Sequence, residues 1–110
     1  MDWIITVDPE VLTDLKKLGR PAQIRVKKYL DKLKQECDHP KERGNSYRNE
    51  LHGFWKYRVG DYRIVAVIEE GEITVLAVMM ISHRKNAYSN KNINELFSRS
   101  QELERKIKDD

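Results

Sequence analysis

Hydrophobic and polar residues change their spacing several times along the chain, and each spacing predicts a type of element. The segment from Asp2 to Val7 is rich in β-branched and aromatic residues, which is typical of a strand. Asp8, Pro9 and Glu10 then favour the start of a helix, with Asp8 as its predicted cap. Gly19 is predicted to end that helix.

A second helical period follows Pro21, and the short link between the two helices predicts an antiparallel αα-hairpin. The segment from Asp38 to Asn49 has few apolar residues and is predicted to be a loop. Apolar residues recur every three or four positions along both helices. The predicted buried stripe consists of Val11, Leu15, Leu18, Val26, Leu30, Leu33 and Cys37.

Three strands are predicted at Phe54–Val59, Tyr62–Ile68 and Ile73–Ile81. Gly60-Asp61 fits a two-residue type II′ hairpin turn between the first two, and the apolar third strand is predicted to be central. The order of elements predicts an α+β fold, a mostly antiparallel sheet with the αα-hairpin on one face and a C-terminal helix. The stripe of that last helix is Ile93, Leu96, Phe97, Ser100, Leu103 and Ile107.

Length and composition then narrow the class of protein. The 110 residues suit one domain, and 21 Lys+Arg against 18 Asp+Glu give a net charge of +3. No apolar run approaches the roughly 20 residues of a membrane span, and no secretory signal is evident. The lone Cys37 excludes an internal disulfide and a cysteine-based zinc cluster. We therefore expect a soluble, reduced, cytoplasmic domain with no membrane association, no metal and no tightly held cofactor.

The predicted hairpin places several cations together. With Gly60-Asp61 as the turn, Arg58 lies opposite Arg63, and alternation puts Lys56 on the same face. Like charges across two strands destabilise by an amount on the order of 0.2–1 kcal/mol. The cluster therefore suits a phosphodiester, which guanidinium and ammonium groups bind well. The alternative is that these long side chains only extend into water at a wet sheet face.

A second polar segment, Ser82 to Tyr88, follows the apolar third strand. It brings His83, Arg84 and Tyr88 to one end of the sheet. Histidine can move protons near neutral pH, arginine can stabilise charge on phosphate oxygens, and tyrosine can stack on a base. A solvated turn before the last helix is the alternative interpretation.

These motifs resemble the RelE branch of the RelE/ParE superfamily of type II toxins. The resemblance covers about Trp3 to Tyr88. It lies in three parts of the chain: the initial strand with the αα-hairpin, the segment LHGFWKYRVGDYRIV from Leu51 to Val65, and the segment Ser82-His83-Arg84-Lys85 with Tyr88. It implies a RelE-like toxin domain over residues 1–88, with residues 89–110 as the C-terminal amphipathic helix of the same domain. It also implies a ribonuclease that cleaves mRNA in the ribosomal decoding site and is inhibited by a RelB-like antitoxin.

The resemblance also assigns roles to the predicted site, without a metal. The ribose 2′-oxygen would attack the adjacent phosphate, with arginines as phosphate clamps because they stay protonated. Lys56 is a possible base among like charges, His83 is a second acid/base candidate, and Tyr88 would hold a base. The residues carried over are Lys56, Arg58, Arg63, Arg84, Tyr88 and His83.

Two other functions share these features. A ParE-like gyrase inhibitor would use the same scaffold without nuclease chemistry. A non-catalytic RNA-binding module would show steep salt dependence and no cleaved ends. The resemblance also leaves two roles open for the C-terminal helix, which would either mask the site or give way to the antitoxin.

Overall fold

The computed structural model describes residues 2–108, with side chains as far as residue 106. The side chain of Ile107, which was predicted to belong to the apolar stripe, therefore lies outside the described part. So do residues 109–110, the end of the predicted C-terminal segment. The elements in chain order are β1 (Trp3–Val7), α1 (Pro9–Leu18), α2 (Arg20–Glu36), β2 (Asn45–Ser46), β3 (Trp55–Val59), β4 (Tyr62–Glu69), β5 (Thr74–His83) and α3 (Asn90–Lys108).

The strands form one sheet in the order β1-β5-β4-β3-β2. Only the β1–β5 pair is parallel among these strands, so the predicted α+β fold with a mostly antiparallel sheet is confirmed. The predicted hairpin register is also confirmed, with Val59 opposite Tyr62 and Arg58 opposite Arg63. Gly60 has a φ of 59° and Asp61 has no positive φ, as a type II′ turn requires.

Helices α1 and α2 cover one face of this sheet, which we call the helical face. Gly19 ends α1 with a φ of 93°, as predicted. Asp8 lies at the cap position, but its side chain makes no capping hydrogen bond. The predicted cap position is thus confirmed, and the Val11 N–H that a capping side chain could bind donates to the Asp8 backbone carbonyl at 3.0 Å. The core of the helical face includes Trp3, Val11, Val26, Leu33, Cys37, Tyr57, Ile64, Leu76 and Val78.

Helix α3 packs on the opposite face, where Leu96 lies in a second apolar cluster with Phe54, Val65 and Met79. The predicted stripe of this helix is thus largely used within the domain. None of the helices within residues 2–108 combines the length and the apolar character that a membrane crossing requires.

One arginine ties α3 to the sheet and to α1. The guanidinium of Arg99 donates to both carboxylate oxygens of Asp14, at 2.7 and 2.9 Å, and to the carbonyl of Met79 at 2.9 Å. Asp14 also accepts the backbone N–H of Ile81 at 3.1 Å. Since β1 pairs only as far as Val78, the later part of β5 has a free edge, and these side chains satisfy it.

Two polar segments that were predicted to lie outside strands form strands, and pairing explains both. Strand β2 lies inside the predicted loop 38–49 and pairs with Trp55 and Lys56 of β3. Gly44, with a φ of 83°, leads into β2 where any Cβ would collide with the Lys56 carbonyl. Strand β5 continues to His83 because its polar end pairs with β4, so pairing overrides the polar character of the sequence.

Candidate functional site

Lys56, Arg58 and Arg63 share the face of the sheet that α3 partly covers, and we call these three side chains the basic cluster. Arg58 and Arg63 lie directly opposite each other, and Lys56 is two residues before Arg58 on the same strand. Within residues 2–108, no carboxylate lies within ion-pair distance of any member of the cluster. No carboxylate of the described residues therefore pairs with the two facing arginines.

The hairpin turn holds the guanidinium of Arg63 in place. One of its terminal nitrogens, Nη1, donates to the carbonyls of Gly60 and Tyr62 at 2.9 and 2.8 Å. The other nitrogens have no hydrogen-bond partner in the described part of the chain. A guanidinium carries five N–H donors, so Arg63 is oriented by two bonds and keeps donors for an anionic oxygen.

Lys56 contacts two tyrosines beside the cluster. Its ammonium donates to the Tyr88 hydroxyl at 3.3 Å and lies 5.1 Å from the ring centroid of Tyr47. The two tyrosine rings meet edge-on at 6.2 Å. Tyr88 is 59% exposed, which leaves its ring available for stacking on a base. These three residues line a groove of about 470 Å³ that continues along Ser46 and Asn49.

Tyr47 belongs to this site, and the sequence analysis did not identify it. Burial and, to a smaller extent, the neighbouring Tyr88 raise the pKa of Tyr47 to about 12, although the positive charge of Arg63 acts in the opposite direction. The phenol is therefore protonated at neutral pH and can donate a hydrogen bond. The available signal was one aromatic residue in an otherwise polar predicted loop, just before the 3₁₀ turn Asn49–Leu51.

Arg84 lies at the end of the same sheet, next to the hairpin turn. Its backbone N–H donates to the Asp61 carbonyl at 2.7 Å, and its Nε is 3.4 Å from the Asp61 carboxylate. Both side chains of this ion pair are more than half exposed, and such surface pairs contribute little to stability. Arg84 can therefore exchange Asp61 for another anion at low cost.

The structure places His83 apart from the basic cluster. His83 pairs with Tyr62, whereas Arg63 pairs with Ser82, so alternation puts His83 on the other face of the sheet. Its ring meets Tyr62 edge-on at 6.0 Å, and its Nδ1 accepts the backbone N–H of Lys85 at 3.1 Å. Of the predicted site residues, the fold thus gathers Lys56, Arg58, Arg63 and Tyr88, with Arg84 at the border.

The described residues form no metal-type cluster, and the single cysteine is buried. Within residues 2–108, no three His, Cys, Asp or Glu side chains converge as metal ligands would. The predicted core position of Cys37 is confirmed, since this thiol-bearing residue is buried.

Comparison with protein families gives one match over most of the chain. The family described as the ParE toxin of the type II toxin-antitoxin system parDE matches residues 5–88. This match includes the hairpin, the basic cluster and Tyr88. No curated protein matches the chain by sequence.

Several solved structures share the fold. A chain of the toxin-antitoxin complex RelBE2 from Mycobacterium tuberculosis is 27% identical, with a TM-score of 0.62, over 76% of this chain and 100% of that one. A mutant of the E. coli toxin RelE in the free state is 20% identical, with a TM-score of 0.64. The match covers 90% of this chain and 98% of that one. A chain of the RelB-RelE antitoxin-toxin complex from Methanococcus jannaschii is 20% identical, with a TM-score of 0.52. The match covers 74% of this chain and 93% of that one.

Proposed function

This chain belongs to the RelE/ParE superfamily of type II toxin-antitoxin toxins, and from that premise we propose that it is an endoribonuclease acting on mRNA in the ribosomal decoding site. The observation that carries the proposal is the basic cluster. Three cations without a carboxylate partner in the described chain lie beside a tyrosine that is exposed and hydrogen-bonded to one of them. A structural role alone gives no reason to keep Arg58 opposite Arg63.

The geometry supports a division of roles. Arg58 and Arg63 hold the scissile phosphate, because a guanidinium stays charged and offers a planar fork of donors. The ribose 2′-oxygen attacks the phosphorus, and the bond to the 5′-oxygen breaks. Lys56, as the neutral amine, accepts the 2′-proton, and the Tyr88 hydroxyl, 3.3 Å away, gives its own proton to the leaving 5′-oxygen. Lys56 then passes a proton to Tyr88, which restores both groups. The products are a 2′,3′-cyclic phosphate and a 5′-hydroxyl.

Arg84 and His83 take different positions in this proposal. Arg84, at the border of the cluster, stabilises the negative charge that develops on the phosphate oxygens. His83 receives no step, since it lies on the other face of the sheet.

The partners follow from the same proposal. The ribosome presents the mRNA strand, and the protein acts in the cytoplasm. A RelB-like antitoxin binds and inhibits the toxin, which is supported by the fact that the similar M. tuberculosis structure is a toxin-antitoxin complex. A partly disordered acidic segment would suit the basic cluster, because it can wrap around the surface and neutralise it.

The proposal is tested with Arg63→Ala combined with Arg84→Ala. Removing one group that stabilises transition-state charge costs about 10²–10³ in rate, so growth arrest and mRNA cleavage should be lost. The measurement is 5′-end mapping of transcripts after induction, with and without translation. The control is Lys27→Ala combined with Lys28→Ala, which also removes two positive charges, but from the exposed side of α2. This variant should leave cleavage intact. Cleavage by a folded Arg63/Arg84 variant would refute the site.

Gyrase inhibition is the second candidate, and the name of the matching family favours it. A gyrase inhibitor would cause DNA breaks and loss of supercoiling while transcripts stay intact. Measuring supercoiling and transcript ends in the same induced cells separates the two activities. Intact transcripts with damaged DNA would replace the nuclease assignment.

A further inference from the structure

Two hydroxyl groups are buried without a hydrogen-bond partner among the residues that the structure describes. They are the phenol of Tyr47 and the Oγ of Ser82, and no other buried side-chain nitrogen or oxygen in the described residues lacks a partner. Their residues are only 6% and 7% exposed. Buried polar groups are nearly always paired, so each exception needs an explanation. Elsewhere in this chain the rule holds, since the buried Tyr57 hydroxyl donates to the Pro40 carbonyl at 2.6 Å.

Both unpaired hydroxyls adjoin the basic cluster. Ser82 on β5 lies directly opposite Arg63 on β4, so both side chains lie on the same face of the sheet. Tyr47 lies on the other side of the cluster, with the Lys56 ammonium 5.1 Å from its ring centroid. The two exceptions to full pairing therefore flank the proposed binding site.

We propose that the hydroxyls of Tyr47 and Ser82 bind the RNA, and that each donates a hydrogen bond to a phosphate or ribose oxygen of the strand held by Arg58 and Arg63. This inference rests on the proposed function and adds two binding residues to it. The cations supply the charge, and the neutral hydroxyls supply direction, because an O–H donor must point at its acceptor. A phenylalanine and an alanine would pack as well and would leave no donor unpaired.

The RNA strand itself can open the way to Tyr47. Tyr88 lies edge-on to Tyr47, lines the same groove and is 59% exposed. It is held there by one hydrogen bond of 3.3 Å to Lys56. The proposed contact with Tyr47 therefore requires Tyr88 to turn away from it, as it would when it stacks on a base.

The test uses Tyr47→Phe and Ser82→Ala, which remove only the hydroxyls. Each should lower cleavage of translated mRNA by roughly 3- to 10-fold, the value of one lost neutral hydrogen bond. The thermal midpoint should stay unchanged or rise, because the folded protein loses an unpaired buried group. Residues with a purely structural role would lower cleavage and the midpoint together. The matched control is Tyr57→Phe, which should lower the midpoint and leave cleavage per folded molecule unchanged.

A binding measurement isolates the contact from the chemistry. The probe is a single-stranded oligonucleotide with 2′-O-methyl riboses, which cannot be cleaved. Tyr47→Phe and Ser82→Ala should weaken its binding without changing the salt dependence, since a hydroxyl neutralises no phosphate. Arg63→Ala should reduce the slope of log affinity against log salt by about 0.7.

The outcomes separate this inference from the proposed function. If the wild type cleaves mRNA and both hydroxyl variants match it in cleavage and binding, the inference is overturned and the nuclease stands. If the wild type neither cleaves nor binds RNA, both are overturned. Loss of antitoxin binding with normal RNA cleavage would also overturn the inference, because the hydroxyls would then serve a protein partner.

Discussion

The two faces of the sheet are built in different ways. On the helical face, the buried polar groups have partners, as the Trp3 indole N–H donates to the Cys37 carbonyl at 3.1 Å and Tyr57 donates to the Pro40 carbonyl. On the opposite face, Tyr47 and Ser82 are buried without partners, beside cations that lack carboxylates in the described chain. The helical face thus pairs its buried polar groups, which stabilises the fold. The opposite face leaves two of them unpaired in the described residues, at the place where the proposed site lies.

Some cations in other parts of the molecule have carboxylate partners. Arg99 forms two hydrogen bonds with Asp14, Arg43 pairs with Glu36 at 2.7 Å, and Lys41 pairs with Glu70 at 2.6 Å. The chain thus has carboxylates that pair with basic residues, and within residues 2–108 none lies within ion-pair distance of the basic cluster. The direct facing of Arg58 and Arg63, with no carboxylate paired to either in the described residues, is what suits the cluster to an anion from outside the chain.

The largest effect is expected on the helical face. Leu33→Ala removes a fully buried side chain and should lower the free energy of unfolding by about 2–5 kcal/mol. Urea denaturation followed by circular dichroism measures it, and cleavage per folded molecule should not change. Leu12→Ala is the control, since Leu12 is 55% exposed and its truncation should cost much less. Equal losses at the two positions would contradict this account of the core.

A smaller effect of opposite sign is expected in the basic cluster. Arg58→Thr removes the like-charge pair with Arg63 and should raise the free energy of unfolding by about 0.2–1 kcal/mol while cleavage falls. The gain should shrink at high salt, which screens the repulsion. Arg58→Lys keeps the charge and should show no gain. A destabilised Arg58→Thr variant would mean that Arg58 supports the fold after all.

The smallest effect is expected for the paired cations at the surface. The hydrogen bond from Arg43 lowers the pKa of Glu36 below 4.5, and the one from Lys41 does the same for Glu70. Their stabilising contribution is therefore complete above pH 4.5 and is lost as the pH falls through the lowered values. NMR shifts should show the segment around Arg43 loosening at the acid end, before the core unfolds.

The control for this pH effect is Arg43→Gln, which removes the partner of Glu36. The pKa of Glu36 should then return towards 4.5, and the acid transition of the segment should move to higher pH. No movement of that transition would show that the ion pair does not hold the segment.

The sequence predicted the strands, the helix pair and the hairpin register, but it failed for two polar segments. Gly60-Asp61 and the alternation around it act over a few residues, so the facing of Arg58 and Arg63 could be derived locally. Strand β2 and the end of β5 at His83 are strands only because a neighbouring strand pairs with them. Their own composition predicted a loop and a turn, and the position of His83 on the other face was missed for the same reason.

The sequence by itself thus determined the elements and the basic cluster, since hydrophobic periodicity and turn chemistry depend on near neighbours along the chain. Only the tertiary structure decided which face α3 covers and that Tyr47 lies beside Lys56 and Tyr88. These contacts join residues far apart in the sequence, and they are selected by the packing of the whole sheet. No local pattern encodes such a contact, because neither partner affects the spacing of residues around the other.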